Sequence, residues 1–224
     1  MTYGLIGKTP KQVKQNSGIY NVADAYDLTE NKRWGSAWEL IESKDSNNSN
    51  PVNSLKFTNL QEDKYFSHCI VFRAFKIRTN ADTLAVRYSV DGGANMLTDS
   101  SYSHKMYKLD ADGSGNNTAE ESDSSRISRI FQNGVHNTSN GLTMSGIFTL
   151  NNAGNPSEPT TLFCHTANFT TSAVLQFKVG GGFYSPERII NCIEFFTTAT
   201  NTFDYDVSIY GRARWVLDIY QATN

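Results

Sequence analysis

Apolar and polar residues alternate with a period of two along much of the chain beyond residue 50, the pattern of half-buried β-strands. In TLAVRYSV (83–90), Leu84, Val86, Tyr88 and Val90 alternate with Ala85, Arg87 and Ser89 before a turn at Asp91-Gly92-Gly93. AVLQFKVGGG (173–182) sets Leu175, Phe177 and Val179 on one face, read as core, and Gln176 and Lys178 on the other; its three glycines read as a turn. The last run places Phe203, Tyr205, Val207, Ile209, Ala213 and Trp215 opposite Asp204, Asp206, Ser208, Arg212 and Arg214. Less regular candidates are WELIES (38–43), VNSLKF (52–57), HCIVFRAFKI (68–77), SHKMYKL (103–109), ISRIF (127–131), LTMSGIFTL (142–150), TLFCHT (161–166) and RIINCIEFF (188–196). Roughly eight to eleven strands without alternating helices predict an all-β domain, a jelly-roll-like β-sandwich. No repeat of fixed period points to a propeller or a β-helix.

The first residues follow a different rule. GLIGKTP is a short apolar patch broken by Gly and Pro, and SGIYNVADAYDLTENKRWG carries Val22, Ala25, Tyr26 and Leu28 at helical spacing. Asn21 is a fitting N-cap and Gly35 a fitting stop, so one short helix is expected there. A helix of this length needs a surface to pack on. The division expected from this change of pattern is an N-terminal segment over residues 1–45 and a β-sandwich domain over 46–224.

Composition narrows the partners. A formal charge of -2 on 224 residues gives no basic excess, so neither nucleic acid nor an anionic lipid surface is expected to bind. No apolar run approaches the roughly 18 to 20 residues of a membrane-spanning helix, and MTYGLIGKTPKQVK lacks the apolar stretch of a signal peptide. Cys69, Cys164 and Cys192 are odd in number and set among strand residues, which suits buried free thiols made in a reducing compartment.

Motifs of catalysis are missing: there is no G-x-S-x-G, no P-loop and no H-E-x-x-H. His68-Cys69 and Cys164-His165 are neighbours whose side chains point to opposite faces of a strand, so neither pair forms a dyad within its own strand. Asp204 and Asp206 share a face with Arg212 and Arg214, which favours ion pairing over acid–base work. Tyr102, Tyr107, Phe183, Tyr184 and Tyr210 lie near loops or on polar sides of strands, where a ring can stack on a sugar, bury at an interface, or pack at the rim of the core. One loop resembles a metal ladder. In LDADGSGNNTAEE (109–121), Asp110, Asp112, Ser114, Gly115, Thr118 and Glu121 match positions 1, 3, 5, 6, 9 and 12 of a twelve-residue calcium loop. An EF-hand needs flanking helices and an apolar residue at position 8, where this chain has Asn117. What is left is a calcium-stabilised connection with Asp110, Asp112 and Glu121 as ligands; no other cofactor is implied.

The segment GLIGKTP…SGIYNVADAYDLTENKRWG resembles, over about residues 4 to 35, the opening of structural proteins encoded by tailed bacteriophages, particularly marine and cyanobacterial ones. The residues that carry the likeness are Ile19, Tyr20, Asp24, Tyr26, Leu28, Lys32 and Trp34. The resemblance implies a non-enzymatic virion component, made in the host cytoplasm and assembled with other virion proteins as a homo-oligomer such as a trimer. Leu5, Ile6, Ile19, Tyr20, Tyr26, Leu28 and Trp34 would anchor it to the particle. The β-domain would then act as a tail-fibre or tail-tip adhesin for a host cell-surface glycan, or as a capsid decoration protein bound only to other virion proteins.

Overall fold

The structure is a computed structural model that describes residues 38–46, 50–78, 82–111, 117–131, 143–169, 174–199 and 201–213. The chain divides into two compact units, Met1–Trp38 and Glu39–Asn224, and all the described strands belong to the second. The expected helix and the expected anchoring residues Leu5, Ile6, Ile19, Tyr20, Tyr26, Leu28 and Trp34 lie outside the described residues, as does Trp215.

Twelve strands follow in order: β1 Glu39–Asp45, β2 Ser54–Phe57, β3 Tyr65–Ile77, β4 Leu84–Ser89, β5 Tyr102–Asp110, β6 Asn117–Ser124, β7 Ile127–Phe131, β8 Met144–Asn151, β9 Thr160–Phe169, β10 Leu175–Tyr184, β11 Cys192–Thr197 and β12 Phe203–Ala213. They form two antiparallel sheets, a large one ordered β1-β12-β3-β8-β9-β10-β5-β6 and a small one ordered β2-β11-β4-β7. β1 pairs with β12 from Glu39↔Gly211 to Asp45↔Asp206, so the first strand of the large sheet lies within residues 1–45.

The sheets face each other across one apolar core. Leu55, Phe57, Val86, Tyr88, Ile193 and Phe195 of the small sheet pack against Ile70, Phe72, Phe75, Phe148, Leu162 and Ile209 of the large one. Phe72 sits at the centre, with Phe195 at 4.9 Å, Phe148 at 5.2 Å, Phe75 at 5.8 Å and Phe131 at 6.1 Å between ring centroids. Edge-to-face pairs of this kind add to the burial of area. Phe72 and Phe75 are three apart, a spacing that a regular pleat would send to opposite faces. A bulge resolves the conflict: Phe72 pairs with Val207 and Ala74 with Asp206, leaving Arg73 as the extra residue on β3. Both rings thereby turn inward, and Arg73 projects to the outer face.

Three features depart from the alternation read in the sequence. β10 continues through Gly180, Gly181 and Gly182, where a turn was expected. A Cβ on these residues would lie 2.3 Å from the Lys105 carbonyl oxygen, 2.4 Å from that of Leu162 and 2.6 Å from that of Ser103, so only glycine lets β5 and β9 approach so closely. The faces of β10 are also reversed: Lys178 and Gln176 are buried while Phe177 is 48% exposed. Finally, β6 had no apolar alternation to announce it; NTAEESDS is the polar edge of the large sheet, and charge on an edge strand opposes further pairing.

Phe72→Ala should lower the unfolding free energy by roughly 3–5 kcal/mol in urea denaturation, whereas Val71→Ala, the neighbouring position on the outer face, should cost well under half as much. Equal losses would contradict the assignment of faces on β3.

Candidate functional site

The outward residues of the large sheet gather in rows set by strand register. One row runs Tyr107, Val179, His165, Ile147 and Val71 across β5, β10, β9, β8 and β3. The next, toward one end of the strands, runs Leu109, Phe177, Ala167 and Ser145; toward the other it runs Lys105, Gly181, Phe163, Thr149 and Cys69. Tyr107, Leu109, Ile147, Phe163, Phe177 and Phe183 are each 40–50% exposed on this one face. Among the described outward residues of β5, β10, β9 and β8, Lys105 is the only Lys, Arg, Asp or Glu. Scattered exposed apolar residues are ordinary; a contiguous apolar face with almost no charge marks an interaction surface.

The face has relief. Phe163 and His165, two residues apart on β9, pack edge to face with ring centroids at 4.7 Å and form a ridge. On one side lies a hollow of about 500 Å³ floored by Ala167 and Ser145 and rimmed by Leu109, Phe177, Ile147 and Val71. On the other, a hollow of about 370 Å³ opens among Ser103, Lys105, Ser122, Thr161, Gly181 and Phe183. The face ends in a polar margin on β3 and β12. There the Arg73 guanidinium clasps both carboxylate oxygens of Asp206, with Nε 3.0 Å from Oδ2, and donates to Ser208 Oγ at 2.7 Å.

Behind the Leu109–Phe177–Ala167 end of the strip, the inner side of the strands carries polar groups, next to the buried Met106, Leu162 and Cys164 of the core. Lys108 pairs with Asp110 at 2.7 Å, Gln176 donates to Asp110 Oδ1 at 2.6 Å, and Asn168 donates to Gln176 Oε1 at 3.4 Å. Lys178 Nζ donates to the Arg129 carbonyl at 3.2 Å and Thr166 Oγ1 to the Ile130 carbonyl at 3.1 Å. These bonds tie β7, the edge of the small sheet, to β9 and β10 of the large one. Arg129 presents its carbonyl from a left-handed backbone conformation, with φ of 61°, where a side chain larger than hydrogen is strained. Burial pushes the Lys178 amine down from its ordinary 10.5 to about 7.

The aromatic candidates fall into two groups. Tyr102 and Tyr184 belong to the core and not to the surface: both are fully buried, their rings 4.7 Å apart. The Tyr102 hydroxyl donates to the Leu97 carbonyl and accepts from the Tyr88 amide, and the Tyr184 hydroxyl donates to Asp99 at 2.8 Å. A tyrosine can be buried wherever its hydroxyl finds partners, which residue spacing does not reveal. Tyr107 and Phe183 do lie on the outer face, and Tyr210 is half-buried on β12 opposite Cys69 and Leu40. The sequence did not single out Leu109, Phe177, Ile147 or Phe163 as surface residues, and Phe177 was assigned to the core. Their alternation is plain, but alternation does not say which side is inward.

Two of the three calcium candidates, Asp110 and Glu121, stand on different strands and apart. Residues 109–121 span a hairpin, with Asp110 at the end of β5 and Glu121 within β6 opposite His104. Six residues of strand separate the two positions, roughly 20 Å at about 3.4 Å per residue. Asp112 lies outside the described residues, and the Asp110 carboxylate is held by Lys108 and Gln176. Among the described residues no three His, Cys, Asp or Glu side chains gather as a metal site.

The other polar candidates have structural partners. Asp204 is bound by Arg78 at 2.8 and 3.0 Å and Asp206 by Arg73; both arginines come from the β3 region. His68 Nε2 donates to the Leu60 carbonyl at 2.7 Å, and burial lowers its pKa. Cys164 and Cys192 are buried free thiols pushed up to about 12 and about 11, far from a nucleophile's range, while Cys69 is a half-buried free thiol on the outer face. No protein-family model, no curated protein and no solved structure matches this chain.

Above pH 7 the folded chain gives up the Lys178 proton while the unfolded chain keeps its own up to about 10.5, so this residue makes stability rise with pH between those values. Lys178→Met should flatten the rise between pH 7 and 9.5 measured by denaturation across that range. An unchanged slope would show that Lys178 does not titrate there.

Proposed function

We propose that this chain is a non-enzymatic structural protein of a tailed-bacteriophage particle, joined to its neighbours through the outer face of the large sheet. The observation that carries the reading is the contiguous, nearly uncharged apolar face spanning Tyr107, Phe177, Phe163 and Ile147. A surface of that composition costs free energy in water and gains it when covered by protein. Between the two roles implied by the phage resemblance, it favours the decoration or cement protein, bound to other virion proteins, over the tail-fibre adhesin. Aliphatic and aromatic cover of this extent suits protein more than sugar, and two of the rings offered for a glycan, Tyr102 and Tyr184, are in the core. The N-terminal residues would add a second attachment.

Strand order supports a jelly-roll β-sandwich for the β-unit. Setting aside the hairpin β5-β6 and the pair β9-β10, the remaining eight strands alternate between sheets in sequence except at β4 and β7, which both lie in the small sheet, and their spatial orders are β1-β12-β3-β8 and β2-β11-β4-β7. That is two interlocked Greek keys, as jelly rolls are wound. The two inserted pairs supply the strands β9, β10, β5 and β6 that widen the large sheet and carry most of the apolar face.

A second reading, host-glycan binding, rests on the smaller hollow, where Phe183 stands beside Ser103, Lys105, Ser122 and Thr161. An aromatic ring next to hydroxyls is the arrangement that stacks and hydrogen-bonds a sugar.

In the phage proposed to encode the chain, Phe177→Glu should reduce its copy number in purified particles at least tenfold, read by quantitative mass spectrometry, while the free protein keeps its circular dichroism spectrum. Full incorporation of Phe177→Glu would overturn the assembly role of the face, and glycan-array binding abolished by Phe183→Ala would establish the second reading in its place.

A further inference from the structure

We infer that the outer face of the large sheet is occupied by a second copy of this chain, packed face to face about a two-fold axis that passes along the row Tyr107, Val179, His165, Ile147. The inference rests on the assembly reading above and names the partner.

The first support is shape. The face carries both a knob and a hole of its own: the Phe163–His165 ridge and, next to it along β9, the hollow of about 500 Å³ floored by Ala167 and Ser145. On β9 the ridge residue Phe163 and the hollow residue Ala167 lie on opposite sides of His165. A two-fold axis crossing the strands at His165 therefore brings Phe163 of each copy over Ala167 of the other, filling both hollows with one operation. Such an isologous contact closes on itself and leaves no unpaired knob.

The second support is charge. Residues on the axial row meet their own counterparts, and a Lys, Arg, Asp or Glu there would oppose a like charge. Tyr107, Val179, His165, Ile147 and Val71 include none. Lys105 and the Arg73–Asp206 pair stand off this row.

Area is the third. With roughly 200 Å² per large side chain, the six apolar residues exposed by 40–50% present on the order of 500 Å². Val71, Val179, Ala167, Thr149 and His165 between them bring the face toward the ~800 Å² per partner of a standard stable interface. The outward positions of β9 and β10 are also bare of charge in the way sheets are on their packed faces, about 10 Å apart in sheet-on-sheet contacts.

Sedimentation equilibrium of the purified chain at micromolar concentration should give twice the chain mass, and Phe163→Glu should return it to the monomer with unchanged circular dichroism. In a Cys69→Ser background, His165→Cys should cross-link to its counterpart with a short bis-maleimide, whereas Lys105→Cys should not. A monomeric native chain, or a dimer that survives Phe163→Glu with no cross-link at residue 165, overturns the pairing. If the chain is monomeric yet Phe177→Glu still drops out of particles, the pairing fails while the assembly reading stands.

Discussion

The extra residue on β3 at Arg73 is the constraint on which both sides of the large sheet depend. Without it, Phe72 and Phe75 would face opposite ways and the ring cluster joining the two sheets would lose one of its members. With it, Phe72 packs against Phe195 and Phe131 of the small sheet and Phe148 of the large, while Phe75 stacks on Phe131 at 5.1 Å. The displaced Arg73 turns outward to bind Asp206 and Ser208, which makes the β3–β12 side of the outer face polar and confines the apolar strip to β8, β9, β10 and β5. One bulge thus centres the core and sets one limit of the surface.

The unequal width of the sheets shapes the rest. Four strands face eight, and the outlying strands β9, β10 and β5 meet the small sheet mainly at β7. There the contact is made by side chains bonding to backbone carbonyls, Lys178 to Arg129 and Thr166 to Ile130, instead of by ring packing. Burying an amine this way is costly, and the lowered Lys178 pKa is the sign of that cost. At this end of the strands polar Lys178, Gln176 and Asn168 lie inside while apolar Leu109 and Phe177 lie outside, the reverse of an ordinary half-exposed sheet.

Much of this fold is legible in the residues. The alternation at 83–90 and 203–213 locates β4 and β12 and puts Val86, Tyr88, Val207 and Ile209 in the core, although Val90 of the same row is 40% exposed and Ala85 and Ser89 of the opposite row are buried. β6 was hidden because an edge strand has no apolar row to show. β10 was located but turned over, since Phe177 among Gln176 and Lys178 reads as a core residue unless the contacts to β7 are known. Gly180–Gly182 read as a turn because close approach of neighbouring strands leaves no local signature other than glycine itself. The surface site was less legible than the fold: an interaction face built from apolar residues uses the same alphabet as a core. The dense acidic loop drew attention to Asp110 and Glu121, which register then placed far apart on a hairpin.

The central claim is that the outer face of the large sheet is covered by protein when the chain does its work. Hydroxyl-radical footprinting of the chain in the proposed phage particle against the isolated chain, diluted to monomer, tests it directly. Tyr107, Phe163 and Phe177 should lose most of their labelling in the particle, while Ile189, exposed outside the sheets, keeps its own. Equal labelling of the three face residues in both samples would contradict the claim.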